Sequence, residues 1–211
     1  MNDNESDLLL FVGDSITDAG RNEYHRANLG QGYVSMISGQ LLNSQVKQGL
    51  KIVNRGVGGN TLEDLNGRWE KDCLALNPDI VSILIGINDI GTRFKNELPF
   101  DVNNTLKFKN LYQKMIDKLK FQNSRIILME PFLLPSELKR EQWVEYVEMM
   151  QNVIRELASQ NNLTFIPLQE ILYNTGEKIG FEKITGTDGV HPTNLGHALI
   201  ANQWLRYANI I

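Results

Sequence analysis

Leu8-Leu9-Leu10-Phe11-Val12-Gly13-Asp14-Ser15-Ile16-Thr17 is an apolar run that stops abruptly at glycine, aspartate and serine. A short, continuous apolar stretch closed by turn residues reads as a strand buried on both faces, with the serine emerging at the rim of a sheet. Four further runs have the same character: Lys51 to Asn54, Ile80 to Ile85, Arg125 to Met129 and Leu163 to Leu168. The stretches between them carry helical periodicity. The clearest places Trp143, Tyr146, Val147, Met150, Val153, Ile154 and Leu157 on one stripe. Helices are also expected over Tyr33 to Leu42, Thr61 to Leu76 with the threonine as N-cap, Leu106 to Leu119, and Thr193 to Tyr207. Strand and helix thus alternate, which predicts an α/β fold: a three-layer α/β/α sandwich around a five-stranded parallel sheet with right-handed crossovers. Ala19 to Gly32, Arg93 to Asn104 and Tyr173 to Gly189 read as long irregular pieces. Those that follow strands should gather at one rim of the sheet.

The chain has 211 residues, 42% of them hydrophobic and 22% charged, and no repeat or linker divides it. A single domain spanning 1–211 is expected, large enough to bury roughly 70% of its unfolded surface. The formal charge of −4 leaves no basic footprint, so nucleic acid and anionic membrane surfaces are not expected partners. The polar, acidic start and the brevity of the Leu8 to Val12 run fit neither a signal peptide nor a membrane span, and a cytoplasmic protein is expected. Cys73 is the only cysteine and has no internal disulfide partner. It reads as a buried structural thiol, with no histidine nearby in sequence to activate it.

Four blocks carry chemistry. Ser15 lies in Gly13-Asp14-Ser15-Ile16-Thr17, where a serine is either a nucleophile or the N-cap of a helix. Gly13 has the spacing of the first glycine of GxSxG, but Thr17 stands where the second would be, so an ordinary α/β-hydrolase is disfavoured. The second block, Asn54-Arg55-Gly56-Val57-Gly58-Gly59-Asn60-Thr61, runs from a strand end through glycines into a helix start. Its exposed N–H groups suit an anion, either a bound phosphate or a developing oxyanion, although neither GxGxxG nor GxxxxGK[ST] is present. In Gly86-Ile87-Asn88-Asp89, Asn88 is either a turn former or a neutral amide donor at the rim. The fourth block places Asp188 three residues before His191, and Pro192 holds the histidine in extended backbone. Serine, imidazole and carboxylate are the three groups of an acyl-transfer relay. A metal site drawing on His191, His197 and His25 has no supporting spacing, and no cofactor is expected. His197 reads as a structural hydrogen-bonding group, and His25 either lines a substrate entrance or is solvated. The alternative outside enzymes is a doubly wound binding module that holds an anion at the glycine turn.

Taken in order, GDSIT, GGNT, GIND and DGVHP resemble the four blocks of the SGNH or GDSL-type hydrolases, with their flavodoxin-like fold. The match spans Ser15 to His191, and the stretches GDSITDAGR, VNRGVGGNT and VHPTNLGH are similar to those of small bacterial acetylxylan and carbohydrate acetylesterases. The resemblance implies a serine esterase in which Ser15 is nucleophile, His191 base and then acid, and Asp188 the orienting carboxylate. It also implies an oxyanion hole made of Ser15 N–H, Gly59 N–H and the Asn88 amide, while Asp14 is structural. The implied substrate is a small-molecule or oligosaccharide ester with a short acyl group, chiefly acetyl. The alternative within enzymes is a thioesterase or lysophospholipase of the same fold. Polar residues of the 19–32 loop, Arg21, Asn22, His25, Arg26 and Asn28, suit a hydroxyl-rich alcohol. Tyr24, Tyr33, Trp69 and Trp143 are candidates for stacking on sugar rings, with core packing the competing reading for Trp143 and Trp204. The resemblance leaves room for a homo-oligomer, and the apolar tail Ile210-Ile211 is either one contact of it or docked on its own domain.

Overall fold

The computed structural model describes residues 7–22, 25, 28–43, 49–98, 101–138 and 140–210. Five strands form one parallel sheet: β1 (Leu8–Gly13), β2 (Lys51–Gly56), β3 (Ile80–Leu84), β4 (Arg125–Met129) and β5 (Thr164–Ile166), in the order β2-β1-β3-β4-β5. Leu10 pairs with Val53 on one side and Val81 on the other, and Ile83 pairs with Leu128. Leu9 to Val12, Val81, Ile83 and Ile127 to Met129 are inaccessible to solvent. Inward and outward positions of these strands are equally apolar because helices cover both faces. This is why the strands are continuous apolar runs in the sequence rather than alternating ones.

The chain order explains where the helices fall. β1 to β2 steps one way across the sheet, and every later crossover steps the other way. Right-handed connections therefore put α2 (Tyr33–Asn43) on the face opposite α3 (Leu62–Gly67), α4 (Trp69–Asp72), α6 (Val102–Phe121) and α7 (Glu141–Asn161). The C-terminal α10 (Asn194–Ala208) packs on α2 and against α8 (Leu168–Ile179) and α9 (Glu182–Thr185), while α6 packs on α7. Trp204 of α10 lies 5.2 Å from Phe11 and donates its indole N–H to Ser82 at 2.9 Å, which satisfies a hydroxyl buried in the central strand. The reversal of direction leaves a crevice between the ends of β1 and β3. α1 (Ser15–Asp18) and α5 (Ile87–Lys95) begin there.

Three sequence expectations need correction. Thr61 to Leu76 is not one helix but α3, α4 and a 3₁₀ turn (Leu74–Leu76). Thr61 does cap its start in a reciprocal box with Asp64. The break falls at Arg68, whose guanidinium is drawn back to Asn60 Oδ1, Arg55 O and Gly13 O. The 173–189 piece is largely helical, containing the end of α8 and all of α9. The 93–104 piece likewise shrinks, because α5 runs to Lys95 and α6 starts at Val102 behind an Asp101 cap. The stripe on α7 is as expected at Val147, Met150, Val153, Ile154 and Leu157, which are buried. Cys73 is buried, and burial pushes its thiol up to about 12, away from nucleophilic chemistry. Among the described residues no helix is long and apolar enough to cross a membrane.

Candidate active site

Ser15 is the first residue of α1, presented by the end of β1. Asp14 makes this turn: it is 1% exposed, and its carboxylate accepts from Ile16 N at 3.0 Å as the N-cap. Burial pushes the Asp14 carboxyl up to about 7. Below α1, Thr17 Oγ1 meets Tyr33 Oη at 2.9 Å and Tyr33 N–H donates to His197 Nδ1 at 3.3 Å, so α2 and α10 fix the serine's helix from beneath. His197 is thus the structural hydrogen-bonding group expected, and burial lowers its pKa to about 4, keeping it a neutral acceptor. Tyr33 is fully buried in this chain of contacts and Trp69 is 1% exposed, so neither stacks on a ligand.

Asp188 and His191 arrive from the α9–α10 loop. Ser15 Oγ lies 2.9 Å from His191 Nε2, and His191 Nδ1 lies 2.5 Å from Asp188 Oδ2. A carboxylate only accepts, so Nδ1 carries the proton and Nε2 is left to accept from the serine hydroxyl. The other oxygen of Asp188 receives backbone N–H groups from Val190 at 2.8 Å and His191 at 2.9 Å. Burial opposes ionisation of Asp188, but the hydrogen bonds from the His191 ring and from these two amides outweigh it and hold the carboxyl down at about 2. The Asp188 hydrogen bond raises His191 above its ordinary 6.5, against the effect of burial. His191 keeps 58% of its side chain exposed, within reach of a substrate's leaving group.

The glycine turn and α5 complete the crevice. A Cβ placed on Gly58 would sit 3.9 Å from the Ser15 Cβ, so the turn lies directly beside the serine. Gly58 N–H donates to Asp18 Oδ2 at 3.1 Å. Gly59 adopts φ +79°, a left-handed conformation that suits glycine, and its N–H has no acceptor among the described residues. Of the two glycines, Gly59 is therefore the one whose donor is unused among the described residues. Asn88 lies in the first turn of α5 rather than in an irregular turn. One of its two amide protons goes to Asn60 O at 3.2 Å, which ties the side chain to the Asn60-Thr61 peptide at the end of the glycine turn and leaves the second proton available. Asp89 ties the same elements together, accepting Leu62 N with both oxygens at 3.2 and 3.1 Å. Its burial pushes the carboxyl up to about 7.

Ser15, His191 and Asp188 are thus joined by hydrogen bonds, Gly58 lies beside the serine, and Asn88 is tied to the end of the same glycine turn. His25 is exposed on the 19–32 segment, while Tyr24 and Arg26 lie outside the described residues. No cluster of metal-ligating side chains occurs among the described residues. Sequence reading missed Arg68, which pins the glycine turn to the end of β1, and Arg140, which donates to Asp188 O at 2.7 Å. Both bind backbone carbonyls far away in sequence. Only the arginine-tryptophan pair after the glycine block pointed towards the first.

Residues 11–199 match the model of the GDSL-like lipase/acylhydrolase family. The chain is 34% identical over 210 residues to an acetylxylan esterase of Geobacillus stearothermophilus, covering 94% of this chain and 92% of that protein. A crystal structure from Parabacteroides merdae, described as a GDSL-like lipase, superposes with a TM-score of 0.89 at 32% identity, over 98% of this chain and 97% of that one. The Geobacillus acetylxylan esterase Axe2, as a tryptophan variant, superposes with a TM-score of 0.84 at 30% identity, over 100% and 98%. Structures of that enzyme altered at a serine, an aspartate and a histidine are described as catalytic mutants. With a family match over most of its length and a fold shared with these enzymes, the chain belongs to the GDSL-like lipase/acylhydrolase family and is a carboxylic ester hydrolase.

Proposed function

We propose that the protein, acting as one domain, removes short acyl groups, chiefly acetyl, from sugars or xylo-oligosaccharides through a Ser15–His191–Asp188 triad. The continuous hydrogen-bonded line from Ser15 Oγ through the imidazole to Asp188 carries this reading. Ser15 Oγ attacks the ester carbonyl while His191 Nε2 takes its proton. The negative charge on the carbonyl oxygen is met by Ser15 N–H, Gly59 N–H and the second Asn88 amide proton. His191 then gives its proton to the departing alcohol, and water repeats the sequence on the acyl-enzyme. Asp188 stays ionised throughout, because its carboxyl is held at about 2, and it stabilises the imidazolium of each step. The names of the Geobacillus relatives support acetyl as the acyl group and a xylose-based alcohol. The polar residues Asn22, His25 and Asn28 after α1 fit a hydroxyl-rich alcohol better than an aliphatic one.

The test is acetate release from peracetylated xylose and acetylated xylo-oligosaccharides, run beside p-nitrophenyl acetate and octanoate. Fast release from the acetylated sugars with little turnover of octanoate is expected. Preference for octanoate, acyl-coenzyme A or a lysophospholipid would move the substrate to lipids or thioesters.

The pH dependence follows from the same geometry. Only neutral His191 accepts the serine proton, and its pKa is raised above 6.5. The kcat/KM on p-nitrophenyl acetate should therefore fall as pH drops through an inflection above 6.5, measured on the free enzyme. The nearby Asp14 carboxyl, near 7, titrates in the same region, so the inflection belongs to the coupled pair. A profile that stays flat from neutral pH down into the carboxylate range would remove His191 as the base.

A further inference from the structure

Arg140 and Trp143 stand at the start of α7, outside the groups that touch the scissile bond. Arg140 is the residue that enters the helix, and Trp143 N–H donates to its carbonyl at 2.8 Å, one turn on. The Arg140 guanidinium donates to Asp188 O at 2.7 Å and lies 4.0 Å from Asp188 Oδ2. It also sits over the Trp143 ring, 4.7 Å from the centroid. The same indole stacks on Phe94 of α5, with centroids 5.7 Å apart and planes 19° from parallel. Its far edge presses on Gly91, where an added Cβ would lie 2.9 Å from Trp143 Cη2. Gly91 and Phe94 follow Asn88 on one short helix. A line of contacts therefore runs from the acid of the relay, through a cation and an indole, to the helix that bears the amide donor.

We propose that Arg140 and Trp143 are positioning residues that hold the Asp188 loop and the Asn88 helix in one frame. The inference rests on the catalytic reading of Ser15, His191, Asp188 and Asn88. A partly exposed ion pair at 4.0 Å would stabilise little by itself. The charge-assisted bond to a backbone carbonyl is stronger and directional, and the planar guanidinium makes it while stacked on the indole. Arg140 acts on the carbonyl of Asp188 rather than on its reacting oxygens, so it fixes where the loop lies. A second anchor supports the same loop: Leu134 N–H donates to Gly189 O at 2.9 Å. Loss of Arg140 therefore loosens the relay without releasing it.

The groups facing His191 are Asp188 from its own loop, Asp14 from the β1–α1 junction, Arg140 from α7 and His197 from α10. Arg140 is the cation opposing protonation of His191, whereas Asp188 and Asp14 favour it. Removing this charge should move the acid limb of kcat/KM to higher pH, and restoring a cation should move it back.

The experiment compares Arg140→Met, Arg140→Lys and Trp143→Leu with the parent on p-nitrophenyl acetate, rates being normalised to sites titrated by a serine-directed phosphonate. For Arg140→Met, kcat should fall on the order of 10-fold with KM within about twofold, since misplacing a reacting group costs rate rather than ground-state affinity. The acid limb should rise in pH. Arg140→Lys should restore the limb but only part of kcat, because an ammonium cannot stack and donate in one plane. Trp143→Leu combined with Asn88→Ala should depart from the product of the single losses by about threefold or more, the signature of coupled sites. Unchanged kcat and limb in Arg140→Met, with Ser15→Ala inactive, would overturn the positioning role and leave the esterase mechanism standing. Multiplicative losses in the double variant would overturn the link to α5. Full turnover in Ser15→Ala would instead remove the mechanism on which the inference rests.

Discussion

Replacing Ser15 by alanine should lower kcat on p-nitrophenyl acetate by about 10⁶-fold, the size seen when a triad serine is removed alone, and should abolish phosphonate labelling. The effect is this large because Ser15 Oγ is the atom that would form the acyl-enzyme. His191 Nε2, 2.9 Å away, has no other hydrogen-bond partner among the described residues. The fold should be untouched. The cap of α1 is made by Asp14, not by Ser15, and the residues that bury the helix are Ile16 and Thr17. Thermal midpoints of parent and variant should therefore coincide. A variant that keeps its stability and its turnover together would end the triad assignment. One that loses both would speak only of folding and would call for Ser15→Cys as a second probe.

Asn88→Ala should cost roughly 10²- to 10³-fold in kcat, with KM little changed, because its free amide proton meets charge that develops only in the transition state. The expected split is informative in this molecule. One amide proton already serves Asn60 O at 3.2 Å, so alanine also frees the Asn60-Thr61 peptide, next to Gly59, to move. Asn88→Asp separates these two losses. A carboxylate has no proton for Asn60 O and adds repulsion towards the oxyanion, so it should be slower than alanine. Aspartate equal to or faster than alanine would mean that Asn88 shapes the turn without facing the reacting oxygen. In that case Gly59 and Ser15 N–H would carry the oxyanion by themselves.

The legible parts of the molecule share a physical cause. Strands buried on both faces need unbroken apolar runs, so Leu8 to Val12 and Ile80 to Ile85 announced themselves, and the reversal of strand order between β1 and β3 put the ends that carry Ser15 and Asn88 at one crevice. The end of α8 was illegible because Asn174, Thr175 and Gly176 are poor helix formers. The helix persists there because Gly176 packs under the Phe181 ring, where a Cβ would lie 2.2 Å from the ring. The break at Arg68 was equally hidden, since the carbonyls that draw the guanidinium back come from β1 and β2. In the site, side chains that react could be read from their type and their place at strand ends. Arg140 could not, because it binds a peptide oxygen 48 residues away and any residue supplies one. Trp143 fell on the helical stripe, where it could be core or a stacking platform, and it is half-buried at the rim beneath a cation.

The placement of that indole gives the protein a built-in optical gauge. Of three tryptophans, Trp69 and Trp204 are 1% and 0% exposed, so a water-soluble quencher should spare their emission and act on Trp143. Indole emission responds to nearby charge and to solvent, and Trp143 has a guanidinium on one face and the helix bearing Asn88 along its edge. Mixing the enzyme with an ester in a stopped-flow fluorimeter would therefore report, without any attached dye, whether the rim shifts as the acyl group arrives and leaves.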